Sequence, residues 1–262
     1  MISLSAGDAV AEIVPERGAI CTRLRLGGSE LLFLDPATLA DPARNVRGGI
    51  PILFPIAGKP VPPLQQHGFA RNLAWESIGE QPRRTGSGDH ACRLRSSDAT
   101  RALFPHDFEL TAAFTLSSNA LRIQFDLRNT GAAPMPLHFG LHPYFRAVDK
   151  RAAWIETDAT IALDNRSGAE AALQRLDFDV DELDLALLDH EDDGTVLHRG
   201  EGPPIQLSWS PRFRTLVLWT LRGKDYICVE PWTAPGLALA SGEGLLHLAP
   251  GESTTPWLEI SI

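Results

Sequence analysis

The chain has 262 residues, 44% of them hydrophobic and 22% charged, a mixture that suits one or two folded domains and excludes intrinsic disorder. Twenty-four basic residues against 33 acidic ones leave a net charge of −9, which repels phosphate backbones and makes nucleic acid a poor partner. No apolar run approaches the roughly 18 residues of a membrane-spanning helix, so no membrane partner is expected either.

The first residues, MISLSAGDAVAEIVPER, lack a basic start and a long apolar core and do not read as a signal peptide. Period-two alternation predicts strands over 9–14, 20–26 and 30–34, broken at Gly27-Gly28. The stretch 47–75, RGGIPILFPIAGKPVPPLQQHGFARNLAW, mixes prolines and glycines with Ile, Leu and Phe. Each proline lacks a ladder donor, so this is an ordered wrapping loop rather than a central strand. The polar 81–90 stretch, QPRRTGSGDH, reads as a hairpin loop before a strand at 91–96. In 108–128, Phe108, Leu110, Ala112, Phe114 and Leu116 alternate with polar or small residues. After Ser117-Ser118-Asn119 the pattern resumes with Leu121, Ile123, Phe125 and Leu127, giving a hairpin with one buried face. Further strands are predicted at 153–157, 205–210, 215–220, 226–230 and 256–262. Only 170–188, EAALQRLDFDVDELDLALL, has helical character, and there a short helix competes with a loop.

Twenty-two glycines and 20 prolines suit many short strands. No linker divides the chain, so residues 1–262 are expected to form one all-β domain, a large antiparallel β-sandwich. Cys21, Cys92 and Cys228 are odd in number and widely spaced, which fits neither a disulfide framework nor a CxxC metal site and points to a reducing, cytoplasmic setting. No GxGxxG or GxxxxGK[ST] opens a helix, so a nucleotide cradle is unsupported.

Three segments carry chemistry. His67, Gly68 and Arg71 emerge from the wrapping loop, where incidental surface charge is the competing reading. In LHFGLHPYF (137–145), His138 and His142 have zinc-helix spacing, but Gly140 and Pro143 disfavour a helix. On a strand both would share one face, as core residues or as proton carriers near neutrality. In YICVEPWTAPG (226–236), Glu230 ends an apolar strand beside Trp232, and such a carboxylate is paired, exposed at a rim, or used. A carboxylate, two imidazoles and a guanidinium on a β scaffold suit acid–base work on a small polar molecule.

These segments resemble the aldose 1-epimerase (galactose mutarotase-like) family, in particular its GGIP-type and hexose-phosphate mutarotase-like branches. The matching pieces are Arg47-Gly48-Gly49-Ile50-Pro51 with Phe54-Pro55, Gln66-His67-Gly68-Phe69-Ala70-Arg71, Leu141-His142-Pro143-Tyr144-Phe145, Val229-Glu230-Pro231-Trp232-Thr233, and a closing Leu248-Ala249-Pro250-Gly251-Glu252. The resemblance implies a galactose mutarotase-like supersandwich that interconverts sugar anomers without cofactor or metal. It assigns Glu230 as general base and His142 as general acid, the latter holding its proton near neutral pH beside the Glu230 charge. His67, Arg47 and Arg71 would line the sugar site, with Asp181 as a candidate for gripping sugar hydroxyls. Arg47, Lys59 and Arg71 on an acidic chain favour a sugar phosphate, and Leu141 before the histidine departs from the galactose-specific pattern. The protein is expected as a monomer or homodimer. Two alternatives stand beside this one. The first is a non-catalytic carbohydrate-binding sandwich. The second is a cupin-like metal enzyme using His67, His138, His142 and Glu230.

Overall fold

The computed structural model describes residues 1–79 and 88–262. Every strand-to-strand ladder in it is antiparallel. The predicted hairpin forms as Phe108–Leu116 and Ala120–Asn129, in unbroken register from Phe108↔Asn129 to Leu116↔Leu121. The Ser117 hydroxyl accepts from the Ala120 N–H at 3.1 Å and closes the turn. Its alternating apolar residues are all buried, and each Leu, Ile or Phe among them contributes about 1.5–3 kcal/mol as it leaves water.

This hairpin is the centre of a nine-stranded sheet running from Trp154–Glu156 to Glu76–Gly79. An eight-stranded sheet runs Glu170–Ala172, Ile161–Asp164, Glu182–Leu187, Thr215–Leu221, Tyr226–Trp232, Gly140–Leu141 and Ile52–Leu53, with Tyr144–Arg146 also on Tyr226–Trp232. A four-stranded sheet, Ile2–Ala6 to Ser29–Glu30, and a pair, Met135–Leu137 with Leu246–Leu248, complete the sandwich. One hydrophobic cluster, reaching from Leu4 to Ile260, takes Phe114 and Phe125 from one large sheet and Leu216, Leu218, Ile227 and Val229 from the other.

Several expected segments take a different form in the structure. No helix forms over 170–188, which holds the strands Glu170–Ala172 and Glu182–Leu187. Leu183, Leu185 and Leu187 face the core at period two, and pairing with Thr215–Leu221 overrides the helical pattern. The 30–34 strand shrinks to Ser29–Glu30, followed by single bridges at Leu32 and Leu34. The wrapping loop is ordered as expected, but Ile52–Leu53 joins it to the end of the eight-stranded sheet. Of the expected 81–90 loop, residues 81–87 lie outside the described residues and Gly88 opens the strand Gly88–Arg95.

The eight-stranded sheet has a second face. Along Tyr226–Trp232, Ile227 and Val229 enter the main core, whereas Tyr226, Cys228, Glu230 and Trp232 point the other way. Val217 and Trp219 join them from the neighbouring strand.

Candidate active site

Residues 138–146 run between Tyr226–Thr233 and the 49–55 stretch. The backbone N–H groups of His138, His142 and Tyr144 donate to the carbonyls of Pro55, Pro51 and Gly49. On the other side Gly140 pairs with Trp232 and Tyr144 with Cys228. The same register carried between these pairs sets His142 opposite Glu230. Pro143 interrupts the hydrogen-bonded strand at that point without changing the register. Phe139, Leu141 and Phe145 enter the core, so His138, Gly140, His142 and Tyr144 fall on the site face.

His142 Nδ1 lies 3.3 Å from Glu230 Oε1, and both side chains are almost fully buried. The contact lacks hydrogen-bond alignment, leaving His142 Nδ1 and Glu230 Oε2 unpartnered. The imidazole stacks flat on Tyr144, with centroids 4.6 Å apart and planes 4° apart, and meets Trp219 edge-on. The Trp232 indole N–H lies against the Glu230 carboxyl, near enough to favour its charge but short of an aligned hydrogen bond. Gly140 makes room for that indole. A Cβ there would come 2.6 Å from Trp232 Cδ1 and 2.7 Å from Ala57 Cβ.

His67 is held by the loop. Its Nδ1 accepts from the Gly58 N–H at 3.1 Å, which leaves the ring proton on Nε2, and its own N–H donates to the Gly58 carbonyl. The residue takes φ +64°, an uncommon region for a side-chain-bearing residue. Its ring centroid sits 5.5 Å from that of His142 and 5.7 Å from that of Trp232. Arg71, on the turn Ala70–Asn72, is close enough to bias both His142 and Glu230 electrostatically, and its Nε is buried without a partner. Arg47 is exposed, 5.8 Å from the Trp219 ring and beside Tyr226. Neither arginine has an acidic ion-pair partner among the described residues.

Burial governs the charge states here. It pushes His142 down to about 3, with the Arg71 and Arg47 charges adding to the effect. It raises Glu230 well above the ordinary carboxylate range, with Asp184 adding and Trp232 and Arg71 opposing. The pair therefore rests as a neutral carboxylic acid beside a neutral imidazole. This corrects the expected imidazolium. The Glu230 charge that was to hold its proton is itself suppressed by burial.

The structure brings Glu230, His142, His67, Arg71 and Arg47 to one face. It does not bring Asp181 there: its side chain is 86% exposed and paired with Arg222 at 2.7 Å. Two acids of the Glu182–Leu187 strand share the site face: Glu182, which accepts from Trp219 Nε1 at 3.2 Å, and Asp184, half-buried opposite Trp219, close enough to act on Glu230 and accepting from Asn165 Nδ2 at 2.8 Å. The signal for them was the alternation of Glu182, Asp184 and Ala186, obscured by the helical reading. Trp219, Tyr226 and Cys228 also went unassigned, since on a strand this apolar they read as core. The imagined metal grouping does not form. Among the described residues the cluster of ligand-type atoms is His142, Cys228 and Glu230, which omits His67 and His138.

The family described as aldose 1-epimerase matches residues 1–261. The chain belongs to the aldose 1-epimerase family. It is accordingly a carbohydrate epimerase, an isomerase, on the galactose mutarotase-like β-sandwich. Over 270 residues it is 29% identical to a Cenchrus ciliaris protein named "Putative glucose-6-phosphate 1-epimerase", covering 94% of this chain and 79% of that one. The Slr1438 protein of Synechocystis sp. PCC 6803 superposes with a TM-score of 0.94 at 36% identity, over 99% of this chain and 94% of that one. A galactose mutarotase-like protein from Clostridium acetobutylicum superposes at 0.82 with 18% identity, over 98% and 93%, and shares the fold. No helix among the described residues is long and apolar enough to cross a membrane.

Proposed function

We propose that this epimerase interconverts the α and β anomers of a hexose phosphate of the glucose 6-phosphate type, with His142 and Glu230 as the proton carriers. The observation that carries the reading is the buried 3.3 Å approach of His142 Nδ1 to Glu230 Oε1, on a face bordered by Arg47 and Arg71. The single cluster reaching from Leu4 to Ile260 supports treating residues 1–262 as one catalytic domain.

Ring opening removes a proton from the C1 hydroxyl and delivers one to the ring oxygen; reclosure after rotation about C1–C2 reverses both transfers. The resting pair holds one transferable proton, on Glu230. Passing it to His142 gives a carboxylate that takes the C1 proton and an imidazolium that protonates the ring oxygen. The Arg71 charge favours that carboxylate and opposes the imidazolium beside it, so the ion pair forms only as the sugar takes part in the transfer. The pair ends each cycle with the proton count it began with, so turnover consumes nothing. Positioned groups of this kind contribute about 10²–10⁴-fold.

Tyr144 holds the imidazole plane, and Trp219 and Trp232 offer aromatic faces to the sugar. Asp184 replaces Asp181 as the group for sugar hydroxyls. Arg47 and Arg71 supply the guanidinium geometry that binds phosphate oxygens in pairs, in keeping with the name carried by the Cenchrus ciliaris relative. Two-dimensional exchange NMR on glucose 6-phosphate and on glucose tests this. Faster anomer exchange of the phosphate ester is expected, and equal catalysis of both sugars removes the phosphate part of the proposal.

A further inference from the structure

Cys228 has no role in the proton transfers above, yet its side chain lies on the same face of the same strand as Glu230. The ligand-type atoms of His142, Cys228 and Glu230 all lie within 4.8 Å of one another. His142 Nδ1 and Glu230 Oε2 are buried without a hydrogen-bond partner, on side chains only 8% and 2% exposed. Buried atoms left unsatisfied destabilise the site, and a bound cation would satisfy them.

We propose that these three residues form a site for Zn2+ and that zinc bound there blocks epimerisation. The donor set is one nitrogen, one sulfur and one oxygen, which suits a borderline-soft ion and not Mg2+ or Ca2+, whose ligands are oxygens. Bond lengths of about 2.0–2.3 Å to a tetrahedral zinc place ligand atoms roughly 3.3–3.6 Å apart. The 3.3 Å between His142 Nδ1 and Glu230 Oε1 already meets this, and the Cys228 sulfur, within 4.8 Å of both, closes to that separation on binding. On binding, the Cys228 thiol and the Glu230 carboxyl each release a proton to solvent, so one dication replaces two protons and the buried charge is unchanged. Three protein ligands leave the fourth position to water or a sugar hydroxyl. Zinc then occupies the lone pairs that mutarotation uses, and the effect on activity follows from that competition.

The inhibition rests on the proposed proton-transfer roles, whereas the binding rests on geometry alone, so the two are measured separately. Competition with a zinc-chelating dye is expected to show one Zn2+ per chain. Affinity should be at least about tenfold weaker in Cys228→Ala and in Cys228→Ser, and unchanged in Cys21→Ala and Cys92→Ala. By exchange NMR, Cys228→Ala should keep its anomer exchange and lose sensitivity to zinc. Absence of zinc binding in the wild type, or equal affinity in folded Cys228→Ala and Cys228→Ser, overturns the site. Zinc bound through Cys228 with exchange undiminished overturns the inhibition. Zinc bound through Cys228 by a protein with no exchange activity leaves the site standing and removes the proposed function.

Discussion

The two faces of the Tyr226–Trp232 strand have equal burial and opposite chemistry. Every residue in the strand is buried. Ile227 and Val229 pack into the large cluster shared by both sheets and leave nothing unsatisfied. Cys228, Glu230 and Trp232, one residue out of step, look into a small polar face where the Glu230 Oε2 and Trp232 Nε1 atoms lack partners. The same backbone ladder supports both faces. Burial alone therefore does not mark a structural residue: what separates the faces is whether buried polar atoms are satisfied.

The comparison can be broken by substituting each face separately. Glu230→Gln and His142→Asn should each cut anomer exchange by about 10²–10⁴-fold. Because Glu230 rests uncharged, its amide should shift stability by under about 1 kcal/mol, read as the thermal midpoint; a large loss of stability in Glu230→Gln would show that the carboxyl is held as a structural ion. On the other face, Ile227→Ala should cost about 2–5 kcal/mol of stability while the folded fraction keeps its kcat. Denaturant unfolding alongside exchange NMR separates the two outcomes.

Gly140→Ala tests the packing within the polar face. Its new methyl must push Trp232 or Ala57 away, costing about 1–3 kcal/mol by overpacking and lowering exchange by moving Trp232 off Glu230. Arg47→Ala sits at the exposed border of the polar face. It should raise KM for glucose 6-phosphate by about tenfold, as one charge-assisted contact is lost, with little change for glucose. Equal effects on the two sugars would show that Arg47 does not read the phosphate.

The smallest effect is the dependence on pH. Burial depresses His67 well below its usual value, His138 to about 4 and His142 to about 3. As the pH falls below about 6.5, the unfolded chain takes up protons that the folded chain refuses, so these histidines make acid destabilising. Glu230 acts in the opposite sense, because its raised folded pKa costs stability as the pH climbs above about 4.5. The depressed histidines, with His106 adding to them, outweigh the raised carboxyls of Glu230 and Asp184, and the thermal midpoint should fall by a few degrees between pH 7 and pH 5. A flat midpoint would mean that the imidazoles are solvated.

The β-sandwich was legible because period-two alternation is a local property: Phe108–Leu116 and Ala120–Asn129 specify their buried face without help from distant residues. The proline-rich loop was legible for a similar reason, since each missing donor is visible in the sequence. Glu230, His142, His67 and Arg71 stood out because polar residues in apolar or proline-rich segments need a local explanation, whereas Arg47 was assigned only by the family resemblance. Only tertiary pairing could set His142 opposite Glu230, since that register joins strands about ninety residues apart. Only tertiary pairing could choose Asp184 over Asp181, because pairing with Thr215–Leu221 begins at Glu182, turning Asp184 onto the site face and leaving Asp181 before the strand in an exposed pair with Arg222. The uncharged state of the pair was also beyond the sequence: desolvation is set by what packs around a group, and here that packing comes from distant parts of the chain.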